Sequence, residues 1–443
     1  MSSTMRKEER MKKTVITALA LFLLLPAMSF AGSATSRYDV TIGGFVKFDM
    51  GYATQGVGAD QQGAIRGSYH GNQNQNDEYG NFYAASGETR LNFLIKGPDG
   101  WGAKTSAFIE GDFRGTQAGA TYGVFGLRHA FMKMDWQNTT LIIGQTWQRW
   151  GYTGAASGIN LGVNDVLPFL RGQRQPQLTV EQRFTKNWSA SFGIYSPADS
   201  LRTAGGATQV NTFTNSGLPF FEGEIVFKSD ACGKIGSRNL LFGLGGFYGQ
   251  EKRSYISAAN PQKYSDTNVN AWGIALKGYI PIIPEKKGNK TGALALTGNI
   301  FTGQDFGWMQ ATPAFPGSYA VGTVKDRDYK APLVTGGFGQ IQYFFTDSFF
   351  VTGWYGYASA NLGTPYTQVA ANVNGIRNLQ HIIVNLSYDV NPAVRFGLEY
   401  ANIYTRYANF QDSGLAAGGP ATGKYYDKKG TVNSVRIGAW YFF

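Results

Sequence analysis

Over and over in this chain, apolar and polar residues alternate one by one. Residues Glu88 to Ile95 read ETRLNFLI. Thr89, Leu91, Phe93 and Ile95 fall on one face, and Glu88, Arg90, Asn92 and Lys96 on the other. A period of two with a single apolar face is the mark of a strand. The stretch AKTSAFIEGDFR repeats it, with Ala103, Thr105, Ala107, Ile109 and Phe113 opposed to Lys104, Ser106, Glu110, Asp112 and Arg114. In FFEGEIVFK, Phe221, Ile225 and Phe227 oppose Glu222, Glu224 and Lys228. In QHIIVNLSYDV, Ile382, Val384, Leu386 and Tyr388 oppose His381, Asn385, Ser387 and Asp389. The chain holds 59 glycines and 15% aromatic residues. Glycine weakens helix interiors, whereas aromatics pack well on a pleated surface, so the composition favours strands and turns.

The pattern predicts sixteen strands, near 38–53, 87–97, 102–115, 124–135, 139–150, 176–185, 187–196, 219–229, 238–250, 269–280, 292–303, 333–345, 348–360, 377–390, 393–407 and 430–443. The connections between them alternate in length. Those after odd-numbered strands are mostly long, and those after even-numbered strands are mostly tight.

Lys12 and Lys13 precede the apolar run TVITALALFLLLPAM, which Ser29, Phe30 and Ala31 follow. That order of basic, apolar and small residues predicts a secretory signal peptide over 1–31, cut after Ala31. The run is shorter than the ~20 residues of a spanning helix. No later segment is long and apolar enough to be one. An exported chain rich in glycine and aromatics with no spanning helix has few ways to be a membrane protein, and one is a closed barrel in which every backbone group pairs between strands. Residues 32–443 are therefore expected to form one all-β domain, a transmembrane antiparallel barrel of about sixteen strands. Even strand number, short periplasmic turns and long outer loops are properties of bacterial outer-membrane barrels. The register puts both termini on the periplasmic side, with Tyr441 and Phe443 in an aromatic girdle. A soluble sandwich would meet water with its charged face. The signal peptide, the loop asymmetry and the aromatic last strand favour a barrel whose charged face lines a channel.

The stretch GLRHAFMKMDWQNTTLIIGQTWQRWG (126–151), with its LRHA and GQTW elements, resembles the DcaP-like trimeric outer-membrane porins. GETRLNFLIKGPDGWG and AFIEGDF are similar to that family's second and third strands. The N-terminal helical extension frequent in those porins has no counterpart before Tyr38. The resemblance implies a homotrimer of sixteen-stranded barrels passing small, often anionic, organic solutes. It also implies that the aromatic end of the chain serves as an assembly signal.

A bare lumen of this size would not discriminate between solutes. The third long connection, residues 151–176, carries Ile159, Leu161, Val163, Val166, Leu167, Phe169 and Leu170 and is expected to fold into the lumen. Arg149, Arg171, Arg174 and Arg183 flank or end it, and Arg90, Arg114, Arg128, Arg395, Arg436, Lys47 and Lys104 face inward to meet them. Arginine stays ionised and bonds carboxylate or phosphate bidentately, so a ring of these side chains would favour anions. The competing reading pairs them with Glu88, Glu110, Asp112, Glu181, Glu222, Glu224 and Glu399, which gives scaffolding with little net selectivity. The whole-chain formal charge of +11 favours the first. Outer-loop arginines would meet lipopolysaccharide phosphates.

A barrel enzyme would need a nucleophile and a base. The three histidines, His70, His129 and His381, have no evident serine partner. No P-loop, zinc or calcium motif is present, and DTNVNA lacks the glutamate of a calcium loop. Neither cofactor, metal nor nucleic acid is expected. A plugged transporter would need a domain before Tyr38. A phosphate-selective porin remains the nearest alternative.

Overall fold

The computed structural model describes residues 38–55, 67, 79–115, 123–151, 174–196, 216–256, 264–305, 315, 319–321, 328–362, 375–408 and 429–443. Their strands are β1 (Asp39–Ala53), β2 (Asn81–Ala85), β3 (Arg90–Lys96), β4 (Lys104–Gly115), β5 (Val124–Asp135), β6 (Thr139–Trp147), β7 (Arg174–Arg183), β8 (Trp188–Tyr195), β9 (Phe220–Ile235) and β10 (Arg238–Ile256). They continue as β11 (Tyr264–Ile283), β12 (Leu294–Gln304), β13 (Tyr319–Val321), β14 (Asp328–Lys330), β15 (Leu333–Phe344), β16 (Phe349–Asn361), β17 (Ile376–Asn391), β18 (Val394–Tyr407) and β19 (Lys429–Phe442).

Every wall strand pairs antiparallel with its sequence neighbour, and β1 closes on β19 from Phe45↔Phe442 to Ala53↔Ser434. β2 and β3 both pair with β1 and form one wall strand, interrupted where the Thr89 amide turns back onto the Ser86 carbonyl (3.0 Å). β13 and β14 form a separate hairpin. The wall is therefore a closed barrel of sixteen strands, as the alternation predicts. Closure leaves no unpaired edge.

The strand bounds differ from expectation in four places. β6 stops at Trp147, so Gln148 to Trp150 leave the wall. β2 lies in what reads as loop. β10 and β11 run on to Ile256 and from Tyr264, which cuts their connection to 257–263. β9 continues through to Ile235, with a break in its register against β10 between Ser229 and Lys234, and its end is packed by buried Ile235 against Tyr279 and Phe344. The signal segment 1–31 and residues 152–173 of the third long connection lie outside the described residues.

The two faces separate as the period of two requires. Leu91, Phe93 and Ile95 point outward, as do Ile225, Ile300 and Ile341, which are more than half exposed at mid-strand. Outward Tyr388, Phe345, Trp188, Tyr441 and Phe443 gather at the short-turn rim, and Tyr52, Phe82, Tyr248 and Tyr357 toward the other. An apolar band between two aromatic belts is the outer surface of a bilayer-spanning barrel. Ile300→Arg, at the centre of that band, is expected to cost about 2–4 kcal/mol of folding stability in lipid, read from urea titrations in vesicles. An equal cost for Arg at an outward rim position would contradict the depth dependence.

The interior is not uniformly polar. Along the β9–β18 arc, inward Phe247, Phe301, Phe338, Trp354 and Ile383 form one apolar cluster with Trp150 and Phe315. Trp150 and Phe315 belong to connections rather than to the wall. These inward side chains pack on chain that has entered the barrel, and so they need not be polar.

Candidate lumen site

The alternation places cations on the inner face of five adjoining wall strands, and four of them, Lys47, Arg114, Arg128 and Arg436, are paired with carboxylates. Lys47 Nζ of β1 lies 2.9 Å from Asp49 and also pairs with Glu88. Glu88 sits in the break between β2 and β3, on the inward face that the alternation gives it; its other oxygen accepts a bond from Arg114 Nη1 of β4 (3.0 Å). One strand further on, Arg128 of β5 forks onto Glu110 (Nε, 2.7 Å) and Asp112 (Nη1, 2.5 Å). Beyond β1 in the other direction, Arg436 of β19 donates to Glu399 of β18 (2.6 Å). The other oxygen of Glu399 accepts from Asn385 Nδ2 of β17 (3.3 Å). Arg90 stands opposite Asp112 in the β3–β4 register, with its guanidinium 5.0 Å from the centre of the Phe45 ring. That is cation–π distance.

β6 and β7 continue this belt with neutral groups. A ring nitrogen of His129 lies 3.0 Å from Thr146 Oγ1. The Gln145 amide donates to the Arg128 carbonyl (3.2 Å), and the Gln148 amide to Gln175 (2.7 Å). Arg174 lies 4.6 Å over the Trp147 ring, and Arg149 is 3.8 Å from Glu181.

The structure thus gathers Lys47, Arg90, Arg114, Arg128 and Arg436 into one belt, with Arg149 and Arg174 beside the two ends of the third long connection. Arg183 and Arg395 stand apart from it. Arg183 binds the Trp136 and Gln137 carbonyls (3.0 and 3.1 Å) at a short turn. Arg395 pairs with Asp389 (Nη2, 2.9 Å) near the turn at Asn391. Lys104 is exposed at the same rim, 3.6 Å from Asp99. A period of two assigns a residue to a face but says nothing of its height along the barrel. Arg171 lies outside the described residues. Sequence reasoning passed over Asp49 and Lys277, whose inward positions in the alternation were the available signal. Among the described residues no group of three or more His, Cys, Asp or Glu side chains could hold a metal ion.

The belt is a ladder of alternating charge on one arc of the wall. Arranged this way, it sets a field across the lumen and offers forked donors to an anion that can displace a carboxylate.

The same architecture occurs in solved structures. The chain aligns with the outer membrane channel DcaP of Acinetobacter baumannii over 92% of its own length and 99% of that chain, with 16% identity and a TM-score of 0.65. An anion-selective porin from Comamonas acidovorans aligns over 91% of this chain and 99% of that one, with 13% identity and a TM-score of 0.52. No protein-family model matches the sequence, and no curated protein does. At these identities the likeness is one of fold, and the fold is the sixteen-stranded barrel of outer-membrane porins, the DcaP-like channel among them.

Proposed function

We propose that the protein is a porin of the bacterial outer membrane, exported with a signal peptide cut after Ala31 and working as a homotrimer. It passes small hydrophilic solutes by diffusion, with a preference for anionic organic solutes such as carboxylates, and catalyses no reaction. The observation that carries this reading is the barrel's two faces. The outer is an apolar band, and the inner bears a belt of Lys47, Arg90, Arg114, Arg128 and Arg436. Arginine offers a carboxylate two parallel bonds, and the low-dielectric wall focuses the field of the belt into the bore. Phosphate selectivity is the weaker alternative. A phosphate-selective porin would want a dense Lys/Arg ladder of high net positive charge, and in this belt Asp49, Glu88, Glu110, Asp112 and Glu399 stand among the cations. The lipid bilayer and lipopolysaccharide are its further partners.

Reconstitution in planar bilayers under a salt gradient tests the channel and its preference together. An anion-directed reversal potential is expected, and a cation-directed one would overturn the preference while leaving the channel. Cross-linking in mild detergent is expected to give a trimeric band; a purely monomeric species would remove the trimer. N-terminal sequencing of protein from the outer-membrane fraction is expected to begin at Gly32.

A further inference from the structure

Lys47, Arg114, Arg128 and Arg436 in the bore are paired with carboxylates, but a second set of cations, on the short-turn rim, is not. Lys186 lies in the turn between β7 and β8, Lys234 at the end of β9, and Lys286 and Lys287 in the turn between β11 and β12. All four are exposed, and among the described residues none of them has a carboxylate within ion-pair distance. The acids of these turns are engaged elsewhere. Glu285 Oε2 accepts from the Gly236 amide (2.6 Å), Asp230 from the Asn239 side-chain amide (2.9 Å), and Asp347, in the turn between β15 and β16, from the Lys290 amide (2.9 Å).

The turns are also tied to their neighbours. The Asn187 side-chain amide donates to the Lys228 carbonyl of β9 (2.6 Å), and the Glu285 amide to the Lys234 carbonyl (2.9 Å). Ile235, Tyr279 and Phe344 are buried together beneath them. The result is a fixed ledge from which the lysines stand out. Lys286 and Asn289 exchange both backbone bonds (3.0 Å each) around Lys287 and Gly288, which have φ +52° and +82°. A two-residue turn of this kind favours asparagine before glycine, so Lys287 brings charge to the tip at the expense of turn propensity.

Apolar surface begins beside these charges. Trp188, two residues from Lys186, is exposed, with its ring 4.9 Å from that of Phe227. Ile282 and Ile283, just ahead of Lys286, are exposed as well. Apolar side chains at the edge of the outer band, with lysines immediately beyond, match the two parts of a phospholipid, acyl chain and phosphate. An acidic protein would match the charge and leave the apolar lip uncovered. We infer that the ledge is a binding site for anionic glycerophospholipids of the periplasmic leaflet. Lys186, Lys234, Lys286 and Lys287 meet the phosphates, and Trp188, Ile282 and Ile283 lie against the acyl chains. The inference rests on the porin reading, which turns the short connections toward the periplasm.

The test uses the full chain refolded in phosphatidylcholine vesicles, with Trp188 as the reporter. Trp101, the other exposed tryptophan among the described residues, is changed to Phe. Phosphatidylglycerol with brominated chains is expected to quench Trp188 as if bound roughly five-fold more tightly than brominated phosphatidylcholine, about what one lysine contact with an anionic surface supplies. The preference should fade in ~1 M salt, where the screening length is about 3 Å. Replacing all four lysines by Gln is expected to bring the ratio close to one, and replacing them by Arg to preserve it, with folding of each variant checked by heat-modifiable gel migration. A ratio of one in the parent protein, or an unchanged ratio in the folded Gln variant, would overturn the site. So would a parent protein that shows no lipid preference but sediments with purified peptidoglycan through these lysines, which would make the cell wall the partner. Quenching is read without conduction, so a protein that forms no channel would remove the porin reading by a separate measurement.

Discussion

Glu399→Ala is expected to cost about 3–5 kcal/mol of folding stability, because it strands a buried charge. Arg436 and Glu399 are each about 6% exposed in their side chains, and their bond is 2.6 Å long. Both carboxylate oxygens are in use, one by Arg436 and one by Asn385. Without the carboxylate, the guanidinium keeps its desolvation cost and loses its principal counter-charge. Replacing both partners, as in Glu399→Leu with Arg436→Met, is expected to cost far less, since an apolar pair of similar volume often equals a buried ion pair. Urea titration of the refolded barrel in vesicles, followed by gel mobility, measures both. A double variant as unstable as the single one would show that the pair itself, and not the stranded charge, carries the energy. The position adds weight to the result. The pair ties β18 to β19, and the next strand, β1, is held to β19 by the closing ladder and to Glu88 through Lys47.

The wall of this barrel could be read from the chain because two solvents impose the pattern on it. Leu91, Phe93 and Ile95 must satisfy lipid while Arg90 and Asn92 satisfy water, and a strand can do both only with a strict period of two. Where that constraint lapses, the reading lapses with it. Gln148, Arg149 and Trp150 lie within the strand expected over 139–150, yet they leave the wall after Trp147, because a pattern of polar and apolar residues cannot tell a lumen-facing strand residue from one on a connection that has turned inward. Ile383 and Trp354 face inward without being polar, since chain rather than water lies against them. Arg114, Arg128 and Arg436 take the inward face that the alternation gives them, but the alternation does not fix their partners. Whether Arg114 meets Glu88 depends on the break at Ser86–Thr89, which no periodicity announces. The glycines of β10 are legible only as composition that suits strands and turns; what stands against Gly243 and Gly245, the Lys277 and Trp150 side chains, comes from the fold.

Glu88→Gln is expected to move the reversal potential toward the anion limit, and Arg114→Gln toward the cation limit. Glu88 lies between Lys47 and Arg114, so removing its charge leaves the Arg114 guanidinium without that neutralising carboxylate. Both groups are accessible, at 12% and 20% side-chain exposure, so the change is felt in the water of the bore. A tenfold gradient of a monovalent salt spans about 59 mV for an ideally selective pore, and one wall charge is expected to shift it on the order of 10 mV. The shift should shrink in concentrated salt, where the screening length falls from about 10 Å at 0.1 M to about 3 Å at 1 M. Combining the two substitutions restores the charge balance and is expected to return the potential close to wild type. Opposite shifts that cancel in the double variant would locate the permeating ions beside the β1–β4 arc. If neither single substitution moves the potential at low salt, the path runs elsewhere in the lumen and the belt is scaffolding alone.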